Sequence, residues 1–200
     1  MYYWRTMNSD QRSQLQLARR MRSYPLHSPP HFSVSGCLCY HLTAANFEHR
    51  PIIGATPERL ALFSDSLCSL CNVNGNRLHA WCVLPNHWHT MVETPDLKAL
   101  LHEIGLLHGR SSFLWNKEDN ERGRKCWHCC SDRKIRTEGH FCVTRNYILY
   151  NPVKHGYVNK WEEWPFSNIQ DYLKTVSQEK ALENWMAYPI LNMGQGWDEN

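Results

Sequence analysis

Apolar positions along the chain follow two rhythms, alternation and helical spacing, separated by turn residues. Residues 78–84 read as a strand, Pro85-Asn86 as a turn and residues 87–92 as a second strand, which together predict a β-hairpin. Residues 32–43 alternate loosely and are rich in aromatic and small apolar side chains, so they are expected to form the first strand. Residues 44–54 read as a loop with a short extended piece. Thr56-Pro57-Glu58 then opens a helix, with Thr56 at the N-cap, Pro57 at N1 and an acid in the first turn. Leu60, Phe63, Leu67, Leu70 and Cys71 give that helix a core face, and residues 72–76, with Gly75, end it.

A second helix is expected over 95–109, with Leu97, Leu100, Leu101, Ile104, Leu107 and His108 on its inner side. His102 and His108 are read as surface or helix-end residues rather than ligands. Residues 109–136 look less regular. Residues 138–150 read as a helix with Phe141, Arg145, Ile148 and Leu149 in phase; the Pro152 ring disfavours continuation, and Gly156 closes the segment. A last helix over 177–186 places Leu182, Trp185 and Met186 inward. At the other end, residues 8–22 read as a helix with Asn8 at the N-cap and Gln11 three residues on; Arg19, Arg20 and Arg22 suit its C-terminal dipole. Pro25, Pro29 and Pro30 then make an extended linker. The expected organisation is an N-terminal helical arm and linker over 1–30, a main domain over 31–170, and a C-terminal helix and tail over 171–200 that packs on it. No internal repeat or low-complexity tract appears.

Composition narrows the class. A chain of 200 residues with 42% hydrophobic and 20% charged residues suits one globular domain with a sizeable core. A net charge of +3 permits nucleic-acid binding without arguing for it. No apolar run is long enough to cross a membrane as a helix, and the first residues lack the apolar core of a secretory signal. Nine cysteines, an odd number without a leader, imply reduced thiols in a cytosol. Cys68-x-x-Cys71 and Cys126-x-x-Cys129 are too far apart for an ordinary zinc module, and Cys68 and Cys71 sit on the apolar face of a helix. Cys126-Trp127-His128-Cys129-Cys130 is the better zinc candidate. Residues 109–136 hold eight Lys or Arg against four Asp or Glu, with Phe113, Trp115 and Trp127 interleaved. A solvated loop accounts for that pattern; so does a groove that holds a nucleic-acid backbone while aromatics stack on bases.

The candidate chemistry lies in the hairpin. On a strand His87 and His89 point to one face and Trp88 to the other, which sets two imidazoles side by side, as chelation of one divalent metal requires, and anchors the indole in the core. Tyr147 and Asn151 are four apart and share a face if the helical turn persists through Asn151, although a residue before proline is biased away from helix.

Three stretches together resemble a known family. Leu84-Pro85-Asn86-His87-Trp88-His89 resembles the His-hydrophobe-His (HUH) strand of single-tyrosine transposases. Residues 147–158, Tyr-Ile-Leu-Tyr-Asn-Pro-Val-Lys-His-Gly-Tyr-Val, resemble the nucleophile helix of the REP-associated tyrosine transposases, and Trp161-Glu162-Glu163-Trp164-Pro165-Phe166-Ser167 resembles the Trp-Pro-x-Ser stretch that follows it there. The resemblance covers about residues 30–170. It implies an α+β, ferredoxin-like HUH domain, a central antiparallel β-sheet packed by helices. It also implies Mg2+ or Mn2+ as cofactor, single-stranded DNA with hairpins as partner, and residence in the bacterial cytoplasm at the nucleoid. By position, His87, His89 and Asn151 become metal ligands and Tyr147 the nucleophile that forms a 5′-phosphotyrosine link and releases a 3′-hydroxyl; Tyr150 is then packing. Arg110, Arg122, Arg124, Lys125, Lys154 and His155 are the candidate DNA contacts. The C-terminal tail favours a monomer with the site built in cis over a homodimer that shares its tyrosine helix. The competing functions are a non-catalytic hairpin-binding relative and a small zinc protein built on residues 126–130.

Overall fold

A computed structural model describes residues 8–21 and 37–191, and the chain divides into two compact units, 1–35 and 36–200. In the first, α1 (Ser9–Met21) carries the expected reciprocal cap: Gln11 N donates to Asn8 Oδ1 (2.9 Å) and Asn8 N to Gln11 Oε1 (3.1 Å). Arg22, the three linker prolines and the start of the expected first strand lie outside the described residues.

The second unit runs β1 (Leu38–Ala45), α2 (Pro57–Leu70), β2 (Arg77–Val83), β3 (His87–Thr94), α3 (Leu97–Glu118), β4 (Ser131–Lys134), α4 (Glu138–Lys154), α5 (Ile169–Val176) and α6 (Gln178–Ala187). The strands form one antiparallel sheet in the order β2-β3-β1-β4. This β-α-β-β-α-β path and its strand order are ferredoxin-like, as expected. Two short 3-10 turns, Phe47–His49 and Ile53–Ala55, occupy the loop in which an extended piece was anticipated.

The sheet has two different faces. Leu42, Ala44, Trp88 and Val92 point toward α2 and α3 and bury with Leu60, Phe63, Leu67, Leu100, Ile104 and Trp115. Thr56 caps α2 by accepting from Arg59 N (3.1 Å). On the other face Ala80, Cys82, Leu84 and Met91 meet Tyr147 and Ile148 of α4.

Several expectations need correction. The segment 109–136 is not irregular throughout: α3 continues to Glu118, and the missed strand β4 pairs with β1 along its far edge. Trp115 and Trp127 are buried, so neither is a platform for bases. His108 is an interior residue. It accepts from Trp88 Nε1 (3.1 Å) and stacks on Trp127 with ring centroids 4.0 Å apart, and burial lowers its pKa to about 4, which keeps it neutral as an acceptor. Helix α4 runs four residues past its expected end, through Pro152. The ring removes only one hydrogen bond of the last turn, and Gly156, at φ +72°, terminates the helix.

Helix α5 was not foreseen, and α6 lies with a different face inward. Leu182 and Met186 are exposed, whereas Ala181 is buried and Trp185, inward as expected, meets Tyr150 at a tilt with ring centroids 4.7 Å apart. The stripe 181–185 is the true contact because α6 sits against α4, where Asn146 Nδ2 donates to Asn184 O and Tyr188 O. The Trp-Pro stretch covers the free edge of β2: Trp164 Nε1 donates to Val83 O (3.0 Å), and Val83 N donates to Phe166 O (2.9 Å).

Candidate active site

The hairpin tip is pinned before any functional group is considered. Asn46 N donates to Asn86 O (2.7 Å) and Gly54 N to Pro85 O (2.9 Å). A side chain at Gly54 would strike Pro85, so glycine is required for this approach. Asn86 Nδ2 donates to His49 O (3.1 Å), which fixes the orientation of the Asn86 amide. Glu48 and His49 both adopt left-handed backbone, φ 55° and 52°, a strained geometry that this anchoring holds.

Immediately beyond the tip, alternation on β3 sends His87 and His89 to the α4 face and Trp88 into the core, as the sequence predicts. Helix α4 lies across them. Because it stays helical through Asn151, Tyr147 and Asn151 share one face and reach the same place. His87 Nε2 lies 3.0 Å from Asn151 Oδ1. The rings of His89 and Tyr147 are 5.3 Å apart, and those of His87 and His89 5.0 Å. The two histidines, Asn151 and Tyr147 are all at most 2% exposed.

Two residues that the sequence did not single out complete the cluster. His41 Nε2 contacts His89 Nδ1 at 3.1 Å, and its ring lies 6.1 Å from that of Tyr147. Arg133 of β4 stands opposite His41 in the strand register and is charge-coupled to both His41 and Tyr147. Neither was legible, because the part of His41 depends on which β3 residue stands beside it and β4 was not recognised. Burial, then the charges of Arg133 and His140, lowers His41 to about 3; His89 is held well below its ordinary value, chiefly by burial. Both rings are therefore neutral in ordinary buffers, the state in which imidazole binds a metal.

The candidate DNA contacts separate. Lys154 Nζ sits 5.0 Å from the Tyr147 ring centroid, and the His155 ring is 4.9 Å from that of His87, so both belong to the site itself. Lys125 lies over Phe47 (4.4 Å), beside the hairpin tip. Arg124 is engaged by Asp119 (2.6 Å) and Asn116 (3.0 Å). Arg122 is exposed, and so is Arg110, on the helix that packs against the opposite face of the sheet. The zinc alternative finds no support in the geometry. Cys126 Sγ contacts Asn116 Oδ1 and Cys130 Sγ contacts Ser131 O, while Cys129 is exposed. Among the described residues no three His, Cys, Asp or Glu side chains gather as a metal site.

The donor set on β3 and α4 fits a divalent ion. It offers two imidazoles and an amide oxygen, and His89 Nε2 is buried without a hydrogen-bond partner. A buried polar atom left unmatched is costly and calls for a ligand.

Comparison with known proteins supplies the family. The model of the family described as "Transposase IS200 like" matches residues 36–146, more than half the chain. The chain belongs to the IS200-like transposase family. A provisionally named REP-associated tyrosine transposase of Haemophilus influenzae is 29% identical over 129 residues, which are 57% of this chain and 69% of that protein. The REP-associated tyrosine transposase of Escherichia coli is 28% identical over 104 residues, 46% of this chain and 53% of that one. Among solved structures, that of a REP-associated tyrosine transposase bound to a REP hairpin is similar, with a TM-score of 0.57 and 18% identity over 76% of this chain and 87% of that chain. This last likeness supports the α+β fold. The IS200-like match contains His41, His87, His89 and Arg133 and ends one residue before Tyr147, so the roles of Tyr147 and Asn151 rest on the motif and the geometry. Among the described residues no helix is long and apolar enough to cross a membrane.

Proposed function

We propose that the chain is a divalent-metal-dependent endonuclease and strand transferase acting on single-stranded DNA that contains hairpins. The supporting observation is the convergence of His87 Nε2, Asn151 Oδ1 and the His89 ring beside the Tyr147 ring. His87, His89 and Asn151 would hold Mg2+ or Mn2+, which when bound neutralises a nonbridging phosphate oxygen and orients the phosphodiester. Two imidazoles and an amide carry no negative charge, so the DNA phosphate is expected to strengthen metal binding.

Tyr147 is the nucleophile. Its phenolic oxygen attacks the phosphorus in line, the bond to the 3′-oxygen breaks, and a 5′-phosphotyrosine link and a free 3′-hydroxyl result. The phenol proton leaves and the departing 3′-oxygen gains one, so protons balance. Lys154, close to the ring, and Arg133, beside His41 on the neighbouring strand, place positive charge near Tyr147. Lys125, Arg110, Arg122 and His155 remain candidates for the DNA backbone; Arg124 is the weakest, since Asp119 already takes its guanidinium. Tyr147 is fully buried, so a DNA phosphate reaches it only when its cover opens.

The test is denaturing electrophoresis of the full chain mixed with labelled single-stranded hairpin DNA and Mn2+, with and without chelator. A chelator-sensitive, protease-sensitive adduct on the DNA's 5′ side, lost with Tyr147→Phe, is the expected result. Hairpin binding with neither adduct nor nick would point instead to a non-catalytic hairpin binder.

A further inference from the structure

We infer that His41 is a positioning residue of this site, setting the tautomer of His89 so that its Nε2 is bare. The inference rests on the reading of His87, His89 and Asn151 as metal ligands. A neutral imidazole carries one proton on two nitrogens, and only the bare nitrogen can bind a metal. The 3.1 Å contact between His41 Nε2 and His89 Nδ1 can form in two ways. If His41 donates, His89 carries its proton on Nε2, an N–H buried with no partner and unable to ligate. If His89 donates, Nε2 keeps its lone pair. Buried orphan N–H groups are rarer than under-satisfied acceptors, so the second arrangement is favoured even without metal.

His87 reaches the same state through a different partner. Asn86 Nδ2 donates to His49 O, so Asn86 Oδ1 is the atom 2.8 Å from His87 Nδ1. That nitrogen carries the proton; in a neutral His87 ring Nε2 is then bare and faces Asn151 Oδ1, a second acceptor, at 3.0 Å, a pairing that a cation held by both atoms would relieve. Each proposed ligand thus donates its Nδ1 proton to a fixed acceptor, an arrangement that orients metal-binding imidazoles generally. His41 suits the task because β1 is the neighbour of β3: its Cα pairs with that of Met91, which sets its ring diagonally beside His89. It is 2% exposed, so its ring is held by packing.

The experiment reads the tautomer first. Long-range 1H–15N correlation of the imidazoles in the metal-free full chain should show His89 protonated at Nδ1. Mn2+ titration followed by electron paramagnetic resonance should then show His41→Leu binding about 10- to 100-fold more weakly than wild type. His41→Gln, whose amide oxygen can still accept, should recover most of that loss, with thermal unfolding confirming that both variants fold. A His89 protonated at Nε2 in the wild type would overturn the inference, as would a folded His41→Leu that binds Mn2+ like the wild type. Wild-type protein that binds no Mn2+ would sink the metal reading instead, and the His89 tautomer would still decide the role of His41.

Discussion

The two faces of one sheet both bury histidine, yet to different ends. On the α2–α3 face His108 lies between Trp88 and Trp127: it accepts the Trp88 indole proton, and Trp127 Nε1 donates to Ser111 Oγ (3.2 Å). That assembly is closed in that both indole N–H groups are matched by protein, although Thr90 Oγ1 on the same face is buried without a partner. On the α4 face His41, His87 and His89 crowd under Tyr147 and Asn151, and His89 Nε2, Asn151 Nδ2 and Thr144 Oγ1 are buried without partners. The contrast separates a structural histidine from the proposed ligands. Burial does not distinguish them; leftover hydrogen-bonding capacity does.

The largest expected effect is chemical. Tyr147→Phe should lower adduct formation by about 10^4-fold or more while hairpin affinity stays within a few fold. Adduct yields from this variant matching the wild type would remove the α4 face from catalysis and break the comparison. Next comes its structural counterpart. Trp127→Ala empties the centre of the closed assembly and should cost about 3–5 kcal/mol in urea unfolding. A loss below about 1 kcal/mol would mean that this aromatic stack is not the keystone of the α2–α3 core.

Acid sharpens the same contrast. Burial lowers His108 from its ordinary 6.5 to about 4. Between those values the unfolded chain takes up a proton that the folded chain refuses, so stability is intact above pH 6.5 and falls as pH drops toward 4. The slope from this one group is about 1.4 kcal/mol per pH unit. His108→Gln keeps an acceptor for the Trp88 indole without titrating, and its unfolding free energy should depend less steeply on pH in that window. Identical slopes in variant and wild type would show that His108 is not held neutral by the fold.

The sequence was most readable where local chemistry and tertiary structure agree. The Pro85-Asn86 turn, the His87/Trp88/His89 alternation and the Thr56 cap each follow from neighbours in the chain, and each stands as expected. Strand β4, Ser-Asp-Arg-Lys, has no apolar alternation because it lies at the sheet edge, and its pairing with β1 is a long-range event with no local trace. His41 was hidden for a related reason: its role depends on which residue of β3 stands beside it. The inward face of α6 stands as expected at Trp185 and was misjudged at Leu182 and Met186, because its contact is Asn146 and Tyr150 of α4, a polar and aromatic surface rather than an aliphatic one. Asn151 shows the opposite failure of local rules, since helix persists where a following proline argues against it.

Thr144 offers the smallest effect and a direct test of what unmatched polar atoms cost. It lies on α4 one turn before Tyr147, is fully buried, and its hydroxyl has no hydrogen-bond partner. Valine has nearly the same shape and a similar helix propensity, so Thr144→Val isolates the hydroxyl. If that oxygen is unmatched in the folded protein, the variant should be more stable by about 1 kcal/mol, measured as a shifted urea midpoint at constant slope. A destabilised variant would mean that the hydroxyl finds a partner in solution, most simply an ordered water under α4. The matching deletion Ser111→Ala, which removes a hydroxyl that accepts from Trp127, should destabilise, because it strands an indole N–H in the closed core. Opposite signs at these two positions would show that the unmatched hydroxyl under α4 costs stability and that the matched hydroxyl of Ser111 contributes it.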